Sequence, residues 1–138
     1  MTLTINSLEV GQELPKREHT ASNVSLFLYN AAVWNPHRIH YDAAYTKDVE
    51  NHPDIVIDGP LQGDWLSQVV LNWLGEDGMM LRFSYANRRA AYLGETLTTQ
   101  GKITAIDAEN RTVELELFIT NEANEATTLG DATVCLNV

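Results

Sequence analysis

Residues 58–75, DGPLQGDWLSQVVLNWLG, decide the fold of this chain. Leu61, Trp65, Val69 and Trp73 recur at every fourth residue, and other apolar side chains lie beside them. Such a broad apolar stripe predicts a helix that is buried on most of its surface. The proline near its start and the glycine after its last apolar residue are typical helix boundaries. The sequence therefore predicts a long core helix.

The chain before this helix is predicted to be helical and then polar. Ser22 can cap a helix that must end before Pro36, because proline disfavours helical geometry in the preceding residue. Residues 35–53 are rich in His, Tyr, Asp and Asn, and predict a loop with a short helix near residues 42–49. The apolar face expected for the first helix consists of Val24, Phe27, Leu28 and Ala31.

The chain after the core helix changes to a period of two. Apolar and polar side chains alternate, as in half-exposed antiparallel strands. The pattern predicts an α+β fold in which an antiparallel sheet covers part of the core helix, so that a dimer is expected to cover the rest. The predicted strands are 79–89, 97–105, 113–119 and 132–138, with turns at 107–110 and 121–124.

Composition excludes several classes of function. A chain of 138 residues fits a single domain, here residues 1–138. The net charge of −10 argues against nucleic-acid binding and, more weakly, against an acidic carrier protein as partner. Cys135 is the only cysteine, so it forms no intrachain disulfide and is expected to be a packing residue. Neither a signal peptide nor a membrane span is predicted, which favours a cytoplasmic protein.

Two stretches combine the groups that carbonyl chemistry requires. Residues 35–42, NPHRIHYD, place two histidines in a polar loop, and His40 can transfer protons near neutral pH. Gly59 opens the core helix, where free backbone N–H groups can stabilise a developing oxyanion. Asn35 can hold water or orient the histidine, but it cannot accept a proton. The HxxH spacing lacks further ligands for a metal, so neither a metal nor a cofactor is expected.

These residues resemble a known family. NPHRIHYD at 35–42, IVIDGPL at 55–61 and YLGETL at 92–97 resemble MaoC-like dehydratases, in the branch of hydroxyacyl-thioester dehydratase type 2 and mesaconyl-CoA hydratases. VGQEL at 10–14 is similar to the family's first strand. The resemblance implies a hot-dog fold with residues 61–74 as the central helix. It also implies reversible hydration of 2-enoyl thioesters, with acyl-CoA as substrate.

The resemblance also implies roles for individual residues. His40 becomes the catalytic histidine, and Gly59 supplies an oxyanion-hole amide. The wider family has an aspartate five residues before the histidine, where this chain has Asn35. The partner of His40 is therefore open, with His37 and Asp42 as candidates.

The resemblance also suggests substrate contacts and a partner. Arg88 and Arg89 fall where a coenzyme A phosphate can bind, although two solvated strand arginines are an equal alternative. Ile39, Asp58 and Trp65 are further candidates for substrate contact. The chain resembles the signature-bearing half of two-domain relatives, so a homodimer or a heterodimer with another hot-dog subunit is expected.

Two other functions fit the residues. A hot-dog thioesterase uses a carboxylate on the central helix, and Asp64 lies one turn into it. A non-catalytic partner subunit is the second alternative, and Asn35 in place of aspartate keeps it open. Free thiol released from an acyl-CoA would distinguish a thioesterase from a hydratase.

Overall fold

The core helix predicted from the apolar stripe is present as α3 (Gly59–Leu74) in the computed structural model, which describes residues 2–137. Val138, which the alternation assigns to the last strand, lies outside that range. The other helices are α1 (Asn23–Ala32) and α2 (Ala43–Asp48), and a 3-10 turn covers Arg38–His40. The strands are β1 (Arg17–Thr20), β2 (Gly78–Asn87), β3 (Thr96–Asp107), β4 (Thr112–Thr120) and β5 (Ala126–Leu136).

The five strands form one antiparallel sheet in the order β1-β3-β4-β5-β2. The helix α3 packs against β2, β3, β4 and β5, and the inward side chains of the strands form the core with it. The α+β hot-dog architecture expected from the resemblance is confirmed. The alternation fails after Ile103, where a bulge shifts the register and leaves Ala105 exposed.

The buried face of α3 differs from the predicted one by about one residue of rotation. In the predicted stripe Leu61, Trp65 and Trp73 are only partly buried, whereas Val69 is buried. Gly63 lies on the buried side of α3, close to β2. A Cβ at this position would lie 2.3 Å from the Tyr85 ring, so the absence of a side chain allows this close approach. The residues that α3 buries are Gln62, Gly63, Leu66, Val69, Val70 and Leu74.

The helix α1 begins and ends as predicted but buries a different face. Ser22 caps it in a reciprocal pair with Ser25, and its last helical residue precedes the proline. Its buried side chains are Leu26 and Asn30, because the Asn30 amide reaches a carboxylate at the start of α3. The expected apolar face is wrong: Val24, Phe27 and Leu28 are 67%, 58% and 60% exposed.

The expectation that residues 10–14 form the first strand is also wrong. Gly11 has a φ of +90°, and the segment makes three backbone hydrogen bonds to β3 that form only one isolated bridge, between Glu13 and Lys102, and no ladder. A ladder cannot continue through the following proline, which has no N–H to donate. The first strand is instead β1, which pairs with β3.

Two further expectations concern Cys135 and a membrane-spanning helix. Cys135 is partly buried on the face of β5 opposite the core, in register with Met79 and Thr112. Within residues 2–137, no helix combines the length and the apolar character that a membrane crossing requires.

Candidate active site

His40 ends the 3-10 turn and is fixed by a backbone carbonyl. Its Nδ1 lies 2.7 Å from the carbonyl oxygen of Val56, and the Val56 N–H donates to the Ile39 carbonyl at 2.9 Å. A carbonyl only accepts hydrogen bonds, so Nδ1 carries the proton. The other ring nitrogen, Nε2, is 3.5 Å from Oδ2 of Asp58. The imidazole is therefore held in one orientation, with 8% of the residue exposed.

Asp58 is the residue before α3, and its carboxylate is fully buried. It makes no side-chain cap to the helix. Oδ1 instead accepts the Asn30 amide at 3.0 Å, and Oδ2 accepts the Asn35 amide at 3.2 Å. A buried carboxylate is tolerated when both oxygens are hydrogen-bonded, as they are here.

The orientations of both amides are determined by their other contacts. Nδ2 of Asn30 also donates to the Leu26 carbonyl at 2.7 Å, so it cannot be exchanged with Oδ1. Oδ1 of Asn35 accepts the His37 backbone N–H at 3.1 Å, which leaves its Nδ2 for the carboxylate. The two asparagines therefore both present N–H groups to the same carboxylate.

A cleft of about 400 Å³ opens beside His40 at the start of α3. Gly59 lines it, and a Cβ at this position would lie 2.1 Å from Nδ2 of Asn87. Because the first amides of a helix have no partner within it, the Gly59 N–H is free for a ligand. The cleft is lined by Ile39, His40, Val56, Ile57, Gly59, Gln62, Asn87, Arg88, Arg89 and Ala90.

Sequence reasoning missed the polar floor of this cleft. Gln62 is 2% exposed, and its Oε1 lies 2.8 Å from the Thr127 hydroxyl and 2.9 Å from the Thr128 hydroxyl. The Thr128 hydroxyl also contacts Oδ1 of Asn87 at 2.9 Å. The available signal in the sequence was a glutamine among the apolar residues of the predicted helix. Its hydrogen-bond partners lie on β5, far away in the sequence, so the sequence did not identify them.

Arg88 and Arg89 both line the cleft. Their backbone N–H groups donate to the Thr127 carbonyl at 2.8 and 3.2 Å, which fixes the chain at this edge. The Arg89 guanidinium is 3.3 Å from Glu125, while the Arg88 guanidinium has no carboxylate within salt-bridge distance in the described part of the chain.

The two candidate partners of His40 do not contact it by hydrogen bonds. His37 is exposed, with its ring centroid 5.9 Å from that of His40. Asp42 caps α2 by accepting the Tyr45 N–H and pairs with Arg38 at 2.8 Å. These two contacts, the Tyr45 N–H first, lower the pKa of Asp42. Asp42 is thus a structural cap, and Asp58 is the carboxylate beside His40.

Trp65 and Asp64 lie outside the cleft. Trp65 stacks on His19 with ring centroids 4.5 Å apart, and burial followed by the charge of Arg17 lowers the pKa of that histidine. Asp64 is exposed and accepts the Tyr29 hydroxyl at 3.2 Å. Burial and then this carboxylate raise the pKa of Tyr29. The structure therefore does not bring either residue to the cleft.

Comparison with known proteins shows the family. The model of the family "Hydroxyacyl-thioester dehydratase type 2" matches residues 6–94, and this chain belongs to that family. A curated relative is the mitochondrial hydroxyacyl-thioester dehydratase type 2 of Saccharomyces cerevisiae, 31% identical over 97 residues. That match covers 69% of this chain and 34% of the yeast protein, so the chain spans about a third of its relative.

Solved structures show the same fold. A MaoC-like dehydratase has a TM-score of 0.90 at 22% identity, with 99% of this chain and 43% of that chain covered. The (R)-hydratase from A. caviae involved in PHA biosynthesis has a TM-score of 0.86 at 20% identity, with 95% of this chain and 98% of that chain covered.

Proposed function

We propose that this chain catalyses the reversible hydration of 2-enoyl thioesters to 3-hydroxyacyl thioesters. The observation that carries the proposal is that His40 and Gly59, whose N–H has no partner within the helix, line one cleft. A proton-transfer group and an oxyanion donor in the same cavity are the two requirements of this reaction. Membership of the dehydratase family and the (R)-hydratase fold neighbour support it.

The chemistry assigns a task to each group. The Gly59 N–H donates to the thioester carbonyl, whose oxygen gains charge as the conjugated double bond is attacked. The oxygen of water bonds to the β carbon, and a proton is added to the α carbon. His40 transfers protons between water and the α carbon, and is left unchanged after one turnover. Asn35, whose amide is engaged by Asp58, orients the site rather than the water.

Coenzyme A is the proposed carrier of the acyl group. Arg88 and Arg89 lie at the cleft, where their guanidinium groups can bind phosphates. The net charge of −10 disfavours an acidic carrier protein.

We expect His40→Gln to reduce kcat for hydration of crotonyl-CoA by about 100-fold or more, the usual loss when an acid–base group is removed. The measurement follows the ultraviolet absorbance of the conjugated thioester. His52→Gln is the matched control, because His52 contacts the Tyr92 hydroxyl outside the cleft. Equal turnover by the two variants would contradict the mechanism.

The same assay distinguishes the alternative functions. A thioesterase would release free thiol from crotonyl-CoA, and a non-catalytic subunit would leave the absorbance unchanged unless a second subunit is added. Asp64, the residue that a thioesterase would require, lies outside the cleft, which favours hydration.

Pairing of two chains is part of the proposal. The edge strand β2 exposes Met79 and Leu81, 61% and 54% exposed, beside an unpaired backbone edge. Such an edge favours pairing with another chain. The partner is a second copy or another hot-dog subunit; one fold neighbour is described as a ChsH1-ChsH2 complex. The cytoplasmic location stays a prediction, and the yeast relative is described as mitochondrial.

A further inference from the structure

Asp58 is the carboxylate beside Nε2 of His40. Because Nδ1 of His40 donates to the Val56 carbonyl, Nε2 of a neutral ring would be an acceptor. It lies 3.5 Å from Oδ2 of Asp58, which as an ionised oxygen is also only an acceptor and already accepts the Asn35 amide. Two acceptors that face each other without a proton repel, whereas a proton on one of the two atoms would make the contact attractive.

The surroundings of Asp58 decide which atom holds that proton. Amides from Asn30 and Asn35 donate one hydrogen bond to each carboxylate oxygen, and their orientations are fixed by other partners. Two such donors complement an ionised carboxylate and leave no acceptor for a carboxylic acid proton. A proton at this contact would therefore be held on Nε2 rather than on Asp58.

We propose that Asp58, just before α3, is the positioning residue of His40, and that it keeps Nε2 protonated. This inference deepens the proposed function and rests on it. It gives the carboxylate role, which Asn35 cannot fill, to a residue 18 positions after the histidine. Asp58 itself is fully buried and acts through the imidazole.

The reaction then starts from a protonated ring. As the water oxygen bonds to the β carbon, the Nε2 proton passes to the α carbon; one of the two protons on that oxygen then passes to Nε2, and the other remains on the product hydroxyl. The bonds and protons balance, and Asp58 keeps its charge throughout. In the reverse direction Nε2–H protonates the leaving hydroxyl and takes the α proton.

The first test compares Asp58→Asn with Asp64→Asn, the same substitution at an exposed position of the same helix. We expect kcat of Asp58→Asn to fall about 100-fold or more with KM nearly unchanged, and its pH–rate profile to lose the limb set by the imidazolium. Asp64→Asn should match the wild type. An Asp58→Asn enzyme with the wild-type profile would overturn the inference, provided that circular dichroism shows both variants folded.

The second test does not depend on activity. NMR of isotopically labelled histidine reports which ring nitrogens are protonated, and His40→Gln assigns the His40 signals among the four histidines. At neutral pH we expect both nitrogens of His40 to be protonated in the wild type, and Nε2 to lose its proton in Asp58→Asn. An unprotonated Nε2 in the wild type would overturn the inference even if the variant does not fold. A protonated Nε2 without hydratase activity would contradict the proposed function alone.

Discussion

Nδ2 of Asn35 lies 3.2 Å from Oδ2 of Asp58, and only the aspartate side chain can carry a charge. The resemblance predicts that the loop position five residues before His40 holds an aspartate in other members. In this chain the loop residue is an amide that donates, and the carboxylate comes from the start of α3. The charge beside the histidine is thus retained, but on a different segment of the chain.

We expect Asn35→Asp to be destabilising. It replaces an amide donor with a second carboxylate about 3 Å from the first, and two like charges at that distance repel by about 5 kcal/mol at an effective dielectric constant of about 20. Protonation of one carboxylate relieves the repulsion, so the folded variant binds a proton more tightly than the unfolded chain. Its stability relative to the wild type should therefore rise as the pH is lowered.

Thermal unfolding at several pH values measures this effect, with Asn35→Ala as the control that removes the donor without adding charge. A loss that is the same for both variants at every pH would contradict the like-charge explanation.

The sequence brought two residues of the cleft to attention through local features, and their roles stay predictions. His40 and Gly59 were identified from residue type and from the start of a helix, and both line the cleft. Asp58 was assigned to substrate contact, because its partners Asn30 and Asn35 lie 28 and 23 residues away. Sequence spacing alone does not show that helix α1 carries an amide to that carboxylate.

Helix α1 contributes a residue to the candidate site, so the stability of this helix affects the site. Its capping pair holds the first turn, and its buried side holds Asn30 against Asp58. Its outer side is apolar and exposed, although the sequence pattern predicted that this side would be buried. Periodicity shows that a helix has two faces, but which face is buried depends on polar contacts that bring it to its neighbour.

We expect Ser22→Ala to lower the free energy of unfolding by about 1 kcal/mol, because the side chain that accepts the Ser25 N–H is lost. Ser67→Ala is the control: its hydroxyl bonds within α3 to the Asp64 carbonyl, where alanine is the better helix former. Chemical denaturation measures both. A Ser22→Ala variant as stable as Ser67→Ala would contradict the role of the cap.

The strands were predicted more accurately than the helix faces. Alternation predicted three strands that correspond to β3, β4 and β5, because one face of the sheet is covered by α3 and the other is solvated. A further strand predicted at residues 79–89 corresponds to β2, and the largest difference in bounds is at the start of β5, which begins at Ala126 and not at residue 132. The strand β1 was missed since it has only four residues, and the bulge after Ile103 leaves no trace in the sequence.

The chain has a net charge of −10, and the sheet in its described part has a long edge strand, β2. β1 closes one side of the sheet with four residues, whereas β2 presents ten residues at the other side. Short edges resist association, and long edges with apolar side chains favour it. Pairing through β2 would also cover part of the core that a single sheet leaves open.

We therefore expect the purified chain to have twice the chain mass in solution, and Leu81→Lys to convert it to a monomer. Val10→Lys is the control, because Val10 is a similarly exposed apolar residue, 64% exposed, away from β2. Light scattering gives the mass. A wild-type monomer at micromolar concentration would contradict self-pairing and direct the search to a second subunit.

The side chains of His40 and Asp58 make their hydrogen bonds with three residues, Asn30, Asn35 and Val56, so that all five lie in one uninterrupted stretch, residues 30–58. Residues 87–90, at the end of β2 and just after it, follow later in the chain and line the same cleft. The groups around the proposed proton-transfer residue are therefore encoded as a contiguous block. A single recombination between related genes can exchange that block as a unit, separately from residues 87–90.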